Sequence, residues 1–228
     1  MKIQKLGFWA SVTSLSTFLL YIICFIGNYF ANSSFVWTNS SSFISFSNTH
    51  PQLFKYIAMF LMIVFSFSFT IQLECLRELV CEKTRFFVRV AVHFAIAFSV
   101  LISINYFVQI SAIRLQIASN QAGDVSQFVQ ANPNSFISAV NLLGWTLFLG
   151  MACLFASMAM GKTPVERVLK YSFIGNAFMM LTCSITYIFS FIIVQALFMF
   201  LGLGLAILVE SAAMCVYYKR AAADAMAN

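Results

Sequence analysis

The sequence predicts an all-α integral membrane bundle of six transmembrane helices with both ends on the cytoplasmic side. Three observations lead there. The chain of 228 residues is 61% hydrophobic and only 9% charged, whereas a soluble domain carries about 25% charged residues because its surface faces water. The apolar residues gather in long stretches, and about 20 of them suffice to cross a hydrocarbon core of about 30 Å. The basic residues fall in short clusters between those stretches. At this length one bundle spanning residues 1–228 is the natural organisation.

The first span covers about residues 8–30. Lys2 and Lys5 precede it, as in a signal peptide. The run from Phe8 to Phe30 is too long for a signal h-region, however, and Tyr29 spoils a small-residue cleavage site before Asn32, so it reads as a retained helix. The second, third and fourth spans follow at about 53–73, 86–113 and 136–160. The stretch Val165–Tyr218 has no proline and no obvious loop. As one helix it would rise about 80 Å at about 1.5 Å per residue, so it must fold back. The last two spans are therefore placed at 165–187 and 193–218, with the turn near Thr186–Gln195.

The positive-inside rule tests the whole arrangement. The inner segments hold Lys2, Lys5, Arg77, Lys83, Arg85, Arg89, Lys162, Arg167, Lys170, Lys219 and Arg220, and the outer segments hold only Lys55 and Arg114. That asymmetry alternates as six crossings require, and an odd number would break it. A basic chain of net charge +6 raises the question of nucleic acid, but no basic stripe tracks phosphates. The excess is a topology signal.

The outer connections have their own character. Ala31–Gln52 lacks Lys and Arg and carries Phe35, Trp37, Phe43 and Phe46, aromatics that favour the headgroup level. It is expected to lie on the bundle or the interface. Asn32 and Asn39 open glycosylation sequons, short motifs that often arise by chance. In Arg114–Ser135, Asp124 followed by Val125, Phe128 and Val129 suggests one or two turns of interfacial helix. Asn132 as N-cap with Pro133 at the first helical position is expected to start the fourth span.

Two stretches carry a resemblance. Asn105-Tyr106-Phe107-Val108-Gln109, followed by Ile113-Arg114-Leu115, is one. The other is Phe128 to Pro133, running into Leu143-Gly144-Trp145 and Leu154-Phe155-Ala156. Together they resemble a group of uncharacterised bacterial multipass membrane proteins, over the third and fourth spans and the loop joining them. The resemblance implies a bacterial inner membrane and no particular activity.

Polar groups inside the spans point to possible sites. A charge at the bilayer centre costs about 2.5–3.5 kcal/mol or more. Arg89, His93 and Glu210 lie at similar depth in the inner half, and are expected to form a buried cluster between the third and sixth spans. Asn28, Asn105, Gln109, Asn141, Trp145 and Gln195 form the outer-half set expected to line a ligand pocket. Asn105 and Gln109 share a face as an i, i+4 pair and are expected to face the interior. On the first span, Ser11, Ser14, Thr17, Tyr21, Cys24 and Asn28 form a stripe that must face protein or a cavity. Against these readings stands interhelical glue, worth about 0.6 kcal/mol per polar contact. Gly144, Gly150 and Gly202 with Ala206 are read as packing positions.

No zinc site, haem pair, P-loop, GxSxG or HExxH occurs, and no cofactor or metal is implied. The six cysteines fall mostly inside apolar runs. Three readings stay open. One is a transport or binding protein for a small or lipid-like molecule, with its pocket in the outer half. The second is a membrane enzyme using Glu210 and His93 as acid and base. The third is an assembly partner without a ligand. The partners implied are membrane lipids, a small hydrophobic or amphipathic ligand and a partner membrane subunit, with no nucleic acid.

Overall fold

The computed structural model describes residues 3–32, 35–119 and 125–227. Lys2, Asp124 and the two serines after Asn32 lie outside them. Seven helices are described: α1 (Ile3–Ala31), α2 (Ser40–Thr49), α3 (Leu53–Leu79), α4 (Glu82–Ala118), α5 (Phe136–Ser157), α6 (Pro164–Ile188) and α7 (Ile192–Met199 continuing through Ile207–Ala227). All except α2 are long and apolar enough to cross a membrane, so the chain is an all-α membrane bundle of six spans.

The helix starts follow local chemistry. Thr163 caps α6, its hydroxyl accepting from the Glu166 N–H, with Pro164 at the first helical position. The Glu166 carboxylate gathers the backbone N–H groups of Gly161, Lys162 and Thr163 at 3.3, 2.7 and 3.4 Å. Gly161, at φ +135, allows the turn that precedes them. Asn39 caps α2 through Ser42. The cap of α5 is Ser135 rather than Asn132: Asn132 instead accepts from the Asn134 N–H and donates to the Ser126 carbonyl, shaping the loop ahead of the helix. Residues 125–135 form consecutive turns: the Phe128 and Val129 N–H groups both donate to the Val125 carbonyl, at 2.8 and 3.1 Å, which makes one helical turn of the one or two expected, and Gln109 and Asn132 take the backbone groups that would continue it. The break between α6 and α7 falls at 189–191, with Ser190 at φ +59.

Each span packs on its neighbour in sequence, and α7 returns to pack on α1 as well as α6. The result is a closed ring of six helices. Its axis is filled. Trp145 of α5 stacks on Phe65 of α3 at 6.0 Å and meets Phe98 of α4 edge-on at 5.0 Å. Phe18, Leu149, Phe173 and Tyr218 belong to the same buried cluster. Burying one such aromatic removes 150–250 Å² from solvent, so this plug carries much of the packing.

The start of α1 and the last part of α7 lie at one end, here called the terminal end. There Gly7 of α1 packs against the ring of Tyr218, so closely that any Cβ would strike it. The Tyr218 hydroxyl donates to the Gln72 carbonyl at 2.5 Å, and the Gln72 amide donates to Ser14. Three spans are thereby knotted together. The opposite end is capped by α2, whose Phe43 and Ile44 join Ile113, Ile117, Val125 and Val129 in a second small core. This places the Ser-rich connection on the bundle.

Three of the spans contain a π-helical turn: Gln109–Ile113 in α4, Leu143–Phe148 in α5 and Phe200–Ala206 in α7. Such turns insert an extra residue and often mark functional positions.

Candidate functional site

The capped end is organised by amides on α4. Gln109 opens the π turn and is 2% exposed. Its Nε2 donates to the Phe128 carbonyl at 2.7 Å, and its Oε1 accepts from the Gln130 N–H at 3.1 Å. One side chain thus replaces the strand-like partner that the loop backbone lacks. One turn earlier, Asn105 donates to Asn141 at 3.0 Å and, at 3.5 Å, to the Gln130 side chain. Its own Oδ1 is buried without a hydrogen-bond partner. Both amides face the interior, as the absence of hydrogen-bond partners in lipid demands. Trp145 donates its ring N–H to the Tyr106 hydroxyl at 3.1 Å.

Two adjoining cavities open beside this framework. The first, of about 300 Å³, lies between α1, α3 and α4, with Tyr21, Asn28, Lys55, Met59, Tyr106 and Gln130 among its walls. The second, of about 290 Å³, lies under α2 between Asn32, Phe43 and Phe46. They share Phe25, Asn28, Lys55 and Ala131. A third, of about 390 Å³, lies on the other side of the loop between α5, α6 and the start of α7, reaching Asn141, Tyr187 and Gln195. Gln130 lines both the first and the third. Ligand sites commonly occupy about 300–1,000 Å³, so the adjoining pair is large enough for a small molecule.

The six expected lining residues do not share one pocket. Asn28 lines the first and second cavities, Asn141 and Gln195 line the third, and Asn105, Gln109 and Trp145 sit behind the walls as supports. Depth alone grouped them, whereas the ring puts α5 and the start of α7 away from α1. The α1 stripe divides in the same way. Ser11, Ser14 and Thr17 are packed away, while Tyr21, Cys24 and Asn28 reach the cavity. Sequence reasoning missed Lys55, Tyr106 and Gln130 as wall residues. Lys55 carried a usable signal, as one of two cations on the side that should lack them.

The expected buried cluster of Arg89, His93 and Glu210 does not form. Arg89 and His93 are exposed on α4, while Val88, Ala91, Val92 and Ala95 turn inward. The helix begins at Glu82, and Arg89 lies 29 residues before Ala118, about 44 Å at about 1.5 Å per residue, so it can reach the membrane boundary. Glu210 is 2% exposed. It accepts from the Asn176 amide at 3.2 Å and from the Cys153 thiol at 3.7 Å. Neutral donors therefore surround it, on α6 and α5. The ion pairs among the described residues join Arg77 to Glu74 and Glu78, at 2.6 and 3.0 Å. Among those residues, no group of three His, Cys, Asp or Glu side chains could hold a metal.

Compared with family models, curated proteins and solved structures, the chain matches none.

Proposed function

We propose that this protein binds a small or lipid-like amphipathic molecule at the capped end of its bundle, and moves or presents it there. The supporting observation is the pair of adjoining cavities, walled by apolar side chains but holding Lys55 and Asn28 in common. Apolar walls with a few fixed polar groups are what a small-molecule site requires. Two amides, Asn105 and Gln109, support the loop that forms one wall. The filled axis favours binding near one face over passage through the ring centre. The acid–base reading with His93 loses its geometry, because His93 faces outward and Glu210 inward.

The same proposal puts the protein in a bacterial inner membrane, with the terminal end in the cytoplasm. The basic residues clustered at that end support this orientation.

Native mass spectrometry of the full chain in a neutral detergent tests the binding reading. A co-purifying small molecule or lipid that survives dilution, and is lost in Met59→Trp, is the expected result. A bare protein that also takes up none of a panel of added amphiphiles overturns it. Reporter fusions at the C-terminus test the orientation, which an external terminus would refute.

A further inference from the structure

Resting on that reading, we propose that the occupant is an anionic amphiphile, its oxyanion held by Lys55 and Asn28 and its apolar chain in the first cavity. Lys55 is half-buried at the start of α3 and lines both cavities. Among the described residues no carboxylate pairs with it, and its ammonium instead lies 5.1 Å from the centre of the Phe43 ring. A cation–π contact offsets only part of the cost of withdrawing an ammonium from water. Counted over the described residues, the site is one negative charge short.

Nothing else described at this end supplies that charge. Of the seven acidic residues, Asp124 alone belongs to the connections at the capped end, and it lies outside the described residues. The neighbouring charged side chain among the described residues, Arg114, adds the wrong sign. Arg114 is exposed near the end of α4, its Nε donating to the Ile110 carbonyl at 3.1 Å. His50 stacks on Phe46, a wall of the second cavity, with ring centres 4.0 Å apart. Lys55 and Arg114 are also the two cations that depart from the positive-inside bias, so this end keeps positive charge where topology alone asks for none.

Asn28 supplies a second donor. Its Oδ1 accepts from the Asn32 amide at 2.8 Å, which leaves its own N–H groups for a ligand oxygen. An ammonium and an amide N–H on a shared wall form a donor pair suited to a carboxylate or a phosphodiester. Beside Tyr21, Tyr106 and Gln130, the first cavity has an apolar wall of Cys24, Phe25, Ala58 and Met59 that suits a hydrocarbon chain. Phe25 is itself 50% exposed on the outer face of α1, so the chain can leave sideways into lipid. A zwitterionic headgroup fits worse, since its ammonium would meet Lys55.

An oxyanion on an apolar chain has two sources, an acidic phospholipid or a free long-chain acid. The full chain in maltoside detergent would be offered phosphatidylglycerol, phosphatidylcholine of the same chains, a free fatty acid, its methyl ester and inorganic phosphate. Binding would be read by native mass spectrometry and thermal shift. The expected result is a preference of about tenfold or more for an acidic amphiphile over its neutral counterpart, the size of a charge-assisted hydrogen bond. Preference for phosphatidylglycerol identifies the lipid source, and preference for the free acid the other. Lys55→Gln should abolish the preference, Lys55→Arg should keep it, and Asn28→Ala should weaken it even if the Lys55 variants fail to fold. Equal binding of acidic and neutral amphiphiles, an unchanged preference in Lys55→Gln, or phosphate binding as well as the amphiphiles overturns this inference and leaves the binding reading intact. Binding of no compound overturns both.

Discussion

Gln109 is the residue whose loss should be felt furthest. Its amide holds the Phe128 carbonyl at 2.7 Å and the Gln130 N–H at 3.1 Å. Truncation to alanine strands both backbone groups. A buried group left unpaired costs about 1–3 kcal/mol, and both bonds are only partly buried, so water recovers some of the loss. About 2–4 kcal/mol for the pair is the working figure. A chain of this size loses about 2–4 °C of melting temperature per kcal/mol, so the drop in detergent should be about 4–16 °C. Gln109→Met keeps the volume but neither bond, and should fall by a similar amount. Because Gln130 lines the first cavity, both variants should also bind the amphiphile more weakly. A Met variant melting within about 1 °C of the parent, alongside a destabilised Ala variant, would show that Gln109 fills space rather than holding the loop.

Other outcomes follow from the same geometry. Glu210→Gln should be nearly neutral, since an amide keeps an acceptor for Asn176, whereas Glu210→Ala should cost about 1–3 kcal/mol. In a double-mutant cycle read by thermal melting, Arg89→Ala and Glu210→Ala should be additive, and a coupling above about 0.5 kcal/mol would refute their separation. Gly7→Ala should destabilise by about 1–3 kcal/mol through overpacking against Tyr218, and an unchanged melting curve would show that the contact gives way freely. Cys81 sits exposed in the α3–α4 turn, its thiol lowered to about 7, first by the Thr84 hydroxyl and backbone and then by Lys162. A lowered thiol ionises earlier as pH rises, so maleimide labelling of Cys81 should reach half its plateau near pH 7. Thr84→Val should move that midpoint upward, and an unmoved midpoint would exclude the hydroxyl as the cause.

The fold was legible because lipid leaves the chain few choices. Apolar runs of sufficient length must be helices, and the 54 residues of Val165–Tyr218 could not be one crossing. The inward direction of Asn105 and Gln109 was legible for the same reason. Azimuth between helices was not. Sequence position puts Arg89, His93 and Glu210 at similar expected depth, yet only contact geometry shows that two face outward and the third faces Asn176. Trp145 likewise carries the amphipathic ring expected of a ligand site but is spent on the axis plug. The three π turns leave no signature in residue type, and Asn132-Pro133 imitates a helix start that Ser135 makes. Lys55 was visible as an exception to a charge rule, but its place on a cavity wall came from α2 and the 125–135 loop folding over it.

The aromatic plug also has an electrical consequence. With Trp145, Phe65 and Phe98 packed together inside the ring, a voltage across the membrane would fall over a packed, low-dielectric septum. A charge carried fully across gains or loses about 2.3 kcal/mol per 100 mV, but Lys55 sits near one edge of that septum. An anion docking there crosses only a small part of the drop, so its affinity should hold nearly constant whether the cell is energised or depolarised.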